Sequence, residues 1–250
     1  MDCVTCVKIG KKYSSTYVNK LYNAVRKYTD NDFICFTEDP SGIDPNVIVY
    51  HMQPLVEDPS KWRDPKRARI GIQSWWPAWN KLELFGREEL DKYDKKIFFD
   101  LDLVIQSDIT SILDFETNFG IIHCRWKSSD WVKIHHTNKK PAFALNSSCM
   151  VWRDIKFIYE QYIPNWKKHV RMYKGIDPYI NQNHFSDLEF LPDVFYSYRE
   201  GSNPEHFWDG DETPYLKYMP EYSICLFHQE PEIHELNHDH ILYKTWNDTL

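Results

Sequence analysis

Short apolar runs alternate with helical spacing through the first part of the chain. Residues 4–9 form one such run and predict a strand. Ser14 or Ser15 can cap a following helix that carries Val18, Leu21, Tyr22 and Val25 at three- and four-residue intervals. Residues 32–37, DFICFT, predict a second strand, and the EDPSG after it is turn chemistry. Residues 47–50 predict a third. Residues 77–90 predict a helix with Trp79, Leu82 and Phe85 on one face, and residues 97–105 a strand apolar but for two aspartates. Strands that alternate with helices in this way predict an α/β fold, a mostly parallel sheet flanked by helices.

The second half is less regular. Residues 120–124, 149–152, 195–198 and 224–227 predict short strands, and residues 155–162 a helix. The loops at 125–141 and 200–220 are long and aromatic, and long loops in a compact domain are usually functional. The predicted shape is an irregular C-terminal lobe laid over the open edge of the sheet. The NHDH near the C-terminus reads as a solvated tail.

Composition narrows the class. The 250 residues carry a net charge of −7, against the basic surplus expected of a nucleic-acid partner. No apolar run approaches the roughly 20 residues of a membrane-spanning helix. The first residues lack a basic segment followed by a long apolar stretch, so a signal peptide is not expected. The six cysteines lie in or beside apolar runs and read as reduced core residues, which points to a reducing, cytoplasmic setting. Aromatic residues make up 16% of the chain, more than core packing demands, and fit a pocket for ringed ligands.

The sharpest chemical feature is KKIFFDLDLVIQSD. On a strand, Asp100 and Asp102 project the same way. Two carboxylates side by side repel and lose solvation, and a divalent cation relieves both costs. Oxygen ligands favour Mg²⁺ or Mn²⁺ with phosphate and water completing the shell. Two solvated acids at a strand end are the alternative. His228 leaves a second apolar run, SICLFHQEP, where an imidazole can join the same cation or serve the structure alone. Lys81, in WWPAWNKLELF, sits beside the apolar stripe and can reach into a pocket as a point cation, or lie on the surface. Lys8, Lys11 and Lys12 follow the first strand, where open α/β sheets bind ligands, and Tyr13 or Tyr17 can stack on a base.

Together the segments KIGKKYSSTYVNKLYNAV, FICFTED, WWPAWNKLELF, FFDLDLVI, ALNSSCMVW and CLFHQEP resemble metal-dependent glycosyltransferases of the GT-A fold. Within that group the chain looks most like the glycogenin-like (family 8-like) enzymes and the uncharacterised sugar transferases of bacteria, phages and large DNA viruses. The resemblance implies one domain over residues 1–250, with a nucleotide-binding half at 1–110 and an acceptor half at 111–250. Asp100, Asp102 and His228 would hold Mn²⁺ or Mg²⁺ on a nucleoside diphosphate. Lys8 and Tyr13 would hold the nucleoside and Lys81 the donor sugar or diphosphate. Asn146 would bond the sugar at the reaction centre, and Asp177 stands where relatives carry an acidic segment. The implied reaction moves a sugar from a UDP- or GDP-sugar to a glycan or other acceptor hydroxyl, with retention of configuration. Trp131 and Trp208 are candidate lids or acceptor platforms.

Two departures matter. Relatives follow the late histidine with a glycine and a diphosphate-binding lysine; this chain has Gln229 and Glu230. Ile176 and Pro178 replace polar residues around Asp177. They leave a rival reading, a non-catalytic module that holds a nucleotide or glycan. A phosphatase of the haloacid dehalogenase type also places two aspartates after a strand, but needs Gly and Thr where Leu103, Val104 and Ile105 stand.

Overall fold

The run of β-branched and aromatic residues CVTCVK forms β1 (Cys3–Lys8), and its neighbour DFICFT forms β2 (Asp32–Thr37). Between them, α1 (Ser15–Arg26) buries the predicted stripe of Val18, Leu21 and Val25. β1 and β2 pair in parallel, Cys3 opposite Asp32 and Lys8 opposite Thr37, so both strands end at the same edge. β3 (Ile48–His51) continues outward and β4 (Lys96–Phe99) pairs with β1 on the other side, both parallel. The computed structural model describes residues 1–55, 76–127, 144–173, 175–205, 215–228 and 230–248.

The remaining strands are β5 (Leu103–Ile105), β6 (Phe119–His123), β7 (Leu145–Trp152), β8 (Glu189–Phe190), β9 (Phe195–Ser197) and β10 (Ile224–Leu226). They complete a seven-stranded sheet in the order β3-β2-β1-β4-β7-β6-β8, with β7 antiparallel to both its neighbours. A second sheet, β5-β10-β9, stands apart. Among the described residues the further helices are α2 (Trp76–Trp79), α3 (Thr110–Leu113), α4 (Lys156–Tyr162), α5 (Trp166–Met172), α6 (Ile176–His184) and α7 (Ile241–Asn247). One apolar cluster gathers the inner side of α1, the small sheet and α7; the other lies on the opposite face of the large sheet, under α4 and α6. The six cysteines are free and buried, as their apolar contexts predict. Among the described residues no helix is long and apolar enough to cross a membrane.

Three expectations change. The strand expected over 97–105 is two strands in two sheets, β4 and β5, broken at residues 100–102. Both halves are buried, so the apolar run is continuous although the backbone is not. The helix expected over 77–90 is the short α2 continued by a 3-10 segment, Asn80–Gly86, and a further 3-10 turn, Glu88–Leu90. NHDH is exposed at residues 237–239, as read, but it is no tail: the His240 side chain accepts from Leu242 N and starts α7, whose Leu242 and Trp246 are buried. Trp131 and Trp208 lie outside the described residues.

Candidate active site

The break between β4 and β5 places the two aspartates. Asp100 N donates to Ser148 O at 2.8 Å, so the chain leaves β4 still tied to β7. Two residues later Phe227 N donates to Asp102 O at 2.8 Å, which ties it to the segment leaving β10. Residues 100–102 therefore cross the seam between the sheets, and this crossing, not strand alternation, sets where the carboxylates stand.

β7 is shaped to meet them. Its pairing with β6 slips between Ile121, opposite Met150, and Ile122, opposite Asn146. Such bulges re-aim backbone groups near functional sites. Here the slip leaves Ser147 N free to donate to Asp177 Oδ1 at 3.0 Å, and Ser148 O to accept from Asp100. Asn146 Oδ1 closes the turn by accepting from Ser148 N at 2.8 Å. Asp177, in the first turn of α6, is pushed upward by burial and by Asp100, while Ser147 and Lys81 work against that shift.

Lys81 is buried, not on the surface. Its Nζ donates to Asp100 Oδ2 at 2.6 Å and stands 3.5 Å from both Ser147 O and Ser147 Oγ, above the Phe98 ring. Asp102 is served from the other side: Tyr13 Oη donates to its Oδ2 at 2.7 Å. Burial and the neighbouring Asp100 push the Asp102 carboxyl up to about 6, against the Tyr13 hydroxyl, Lys81 and Lys12. Lys12 lies 4.7 Å above the Tyr13 ring and pairs with Glu232 at 2.8 Å. The loop carrying Lys12 and Tyr13 turns at Gly10 (φ +78°), whose N–H donates to Glu38 Oε1 at 2.6 Å. Positive φ is cheap for glycine alone. Lys8 is buried beside this loop and donates to Asp39 O at 3.1 Å; it makes no bond to either aspartate.

His228 follows β10 by two residues. Its ring lies nearly parallel to Trp126 (18°, centroids 6.4 Å apart). Nε2 is 3.0 Å from Ser197 Oγ and 3.2 Å from Glu200 Oε2; Nδ1 is buried without a partner among the described residues. Burial raises the Glu200 carboxyl, but His228 and Lys127, with which it forms an ion pair, outweigh burial and hold it down at about 2. Glu200, Lys127, Ser197 and Trp126 carry no sequence signal for these contacts, because they lie on two segments, residues 126–127 and 197–200, far from His228 in the chain.

The structure thus gathers Asp100, Lys81, Ser147 and Asp177 in one network and Tyr13 with Asp102 in another. Among the described residues no group of three His, Cys, Asp or Glu side chains is placed to hold a metal ion. The donor types nonetheless fit a hard divalent cation: two adjacent carboxylates, each engaged through Oδ2 alone by a proton donor, and an imidazole with one unpartnered nitrogen.

No family model and no curated protein matches the sequence. Solved structures do match. The galactosyltransferase LgtC, determined with donor and acceptor sugar analogs, aligns with a TM-score of 0.64 at 12% identity, over 100% of this chain and 95% of that one. GlyE, a glycosyltransferase of Streptococcus pneumoniae TIGR4, gives 0.58 at 12% identity, over 100% of this chain and 60% of that one. The bifunctional WbbM gives 0.57 at 11% identity, over 98% of this chain and 49% of that one.

The chain has the GT-A glycosyltransferase fold.

At these identities the architecture is what is shared. Within it, β1, β2 and β4 run parallel and end at one edge, in the Lys8–Gly10 turn, at Thr37 and at Asp100. That edge is where open α/β sheets take ligands, and it is where the Tyr13–Asp102 and Lys81–Asp100 pairs stand.

Proposed function

We propose that this protein is a metal-dependent, glycogenin-like glycosyltransferase. It transfers a sugar from a nucleoside-diphosphate donor, UDP- or GDP-linked, to a hydroxyl of a glycan or other acceptor, with retention. One observation carries the reading: a buried lysine and a tyrosine each donate to one of two adjacent aspartates, at the ligand edge of a GT-A fold. In this reading Asp100, Asp102 and His228 hold Mn²⁺ or Mg²⁺. When bound, that cation offsets the charge that builds on the departing diphosphate.

The chain's own residues do the rest. Lys81 brings a fixed positive charge to the leaving group from a site that excludes water, where it acts more strongly than in solution. Asn146, on the β7 bulge, offers an amide to the sugar. Asp177 stands one hydrogen bond behind it through Ser147 N. Tyr13 and Lys8 flank the nucleoside, and Lys12 adds a cation that this arrangement supplies where Gln229 and Glu230 replace the expected Gly and Lys.

A thermal-shift panel of UDP, GDP, ADP and CDP, each with and without Mn²⁺, tests the donor site. About 100 Kd of the correct nucleotide adds roughly 2.7 kcal/mol. The expected result is one nucleotide whose shift requires Mn²⁺, followed by release of that diphosphate from a matching sugar nucleotide. Asp102→Asn should cut release by about 100-fold or more while leaving the melting temperature of the free protein near wild type. Wild-type release in that variant would end the metal reading. A metal-dependent shift with no release from any sugar nucleotide would leave a nucleotide-binding module instead.

A further inference from the structure

Glu38 follows β2 directly and stands at the ligand edge of the sheet. Its two oxygens are used unequally. Oε1 accepts from Gly10 N at 2.6 Å, and Oε2 is shielded from water without a partner among the described residues. The backbone that carries it is fixed: Thr37 Oγ1 accepts from Asp39 N at 3.1 Å, and Lys8 Nζ donates to Asp39 O at 3.1 Å. The side chain is half-buried, and the loop beside it leaves room, since a Cβ on Gly10 would meet nothing within 4 Å. A carboxylate only accepts hydrogen bonds, and a buried acceptor left unpaired is costly. An N–H or O–H arriving from outside the fold would give Oε2 the partner it lacks.

The strand order sets which part of a donor arrives there. β1 lies between β2 and β4, so the ends of β2 and β4 stand roughly 10 Å apart, at about 4.8 Å per strand. A diphosphate beside Lys81 and Asp100, at the end of β4, leaves the rest of the nucleotide to cross the end of β1, past Lys8 and Tyr13. That course brings its base to the end of β2. We propose that Glu38 reads that base: its spare oxygen accepts the ring N–H of uracil or guanine, which cytosine and adenine lack. This rests on the nucleotide-donor reading above and adds to it the residue that selects the base. Cytosine and adenine present a ring-nitrogen lone pair at the corresponding place, and a carboxylate oxygen there is repelled because it has no proton to offer. Oε1 stays on Gly10, so the loop keeps its anchor while the other oxygen selects.

The test is calorimetry of the whole chain with UDP, GDP, CDP and ADP, each with and without Mn²⁺, in wild type, Glu38→Gln and Glu38→Ala. Wild type should bind UDP or GDP about tenfold or more tightly than CDP and ADP. Gln keeps an oxygen for Gly10 N and puts an amide N–H where the spare oxygen stood. Glu38→Gln should therefore weaken the preferred nucleotide about 10- to 100-fold and leave CDP and ADP unchanged or tighter. The preferred nucleotide methylated at its ring nitrogen should lose a similar factor in wild type and bind Glu38→Ala as its parent does. A residue that merely held the loop would weaken all four nucleotides alike, as would a carboxylate that bonds the ribose they share; either pattern overturns the proposal. So does a wild type that prefers CDP or ADP, or a Gln variant with unchanged preference. In each of those cases a nucleotide still binds and the donor reading survives. Binding of none of the four removes that reading and this inference together.

Discussion

Glu83 and Asp102 both retain protons above the usual carboxyl range, and they predict opposite pH behaviour. Burial pushes Glu83 up to about 7, against Arg87 and the Asn80 amide. A carboxyl raised in the folded state binds its proton more tightly there than when unfolded. Its contribution is therefore fully present below the unfolded value near 4.5 and is lost as pH rises through about 7. Glu83→Gln, which keeps an acceptor for Asn80, should leave stability nearly unchanged at pH 4.5. At pH 8 it should raise stability by about 1–3 kcal/mol; urea midpoints at the two pH values check this. Asp102 has the same sign for folding, but a cation needs its ionised form. Stabilisation of the protein by Mn²⁺ should thus fall as pH drops through about 6, read as the Mn²⁺-induced thermal shift between pH 7.5 and 5. A shift independent of pH over that range would separate Asp102 from the metal.

At the scale of elements, what could be read from the sequence follows from how each element is buried. β1, α1 and β2 come through because each buries a simple pattern, a run or a stripe, and β3, half-buried at the sheet edge, because its apolar run is bounded by turn chemistry. Asp100, Asp102 and Lys81 stand out in the sequence as charged groups inside apolar segments, and the structure brings Lys81 onto Asp100; their chemical role is the proposal made above. The break at residues 100–102 was not legible, since no glycine or proline marks it and both flanks are buried. Glu200 was not legible for a different reason: it meets His228 only where two distant segments, residues 126–127 and 197–200, converge on that ring. The 3-10 character of Asn80–Gly86 likewise depends on a neighbour. A Cβ on Gly86 would stand 2.1 Å from Tyr159 Cδ1, so the segment and α4 touch backbone to ring. Gly86→Ala should cost about 1–3 kcal/mol, measured by urea unfolding, because the Tyr159 ring must leave its place. Tyr159→Leu in the same background should recover part of that loss; no recovery would place the strain elsewhere.

At the scale of the whole molecule, the last helix closes on the first. Lys20 of α1 donates to Asn247 Oδ1 at 2.7 Å and to Trp246 O at 3.3 Å, with its Nζ 4.5 Å from the Trp246 ring. Trp246 also packs on Tyr17 at 5.0 Å, and Tyr17 on Tyr13 at 4.9 Å. A chain of rings therefore runs from the C-terminal helix to the hydroxyl on Asp102. Trp246→Ala should cost about 3–5 kcal/mol of stability in urea. It should also weaken nucleotide binding in Mn²⁺, although Trp246 makes no bond to either aspartate. Unchanged binding in a folded variant would show that Tyr13 is held by its own loop. The crossing at residues 100–102 has a consequence of its own for how the protein comes into being. Each aspartate is anchored to a different sheet, one through Ser148 and one through Phe227. Neither sheet alone sets their separation, so a chain that has assembled only its N-terminal strands holds both carboxylates and yet no place for a donor. The separation of the two carboxylates is set only when β10 pairs with β5, so on the proposed reading a chain not yet made past residue 227 has no donor site.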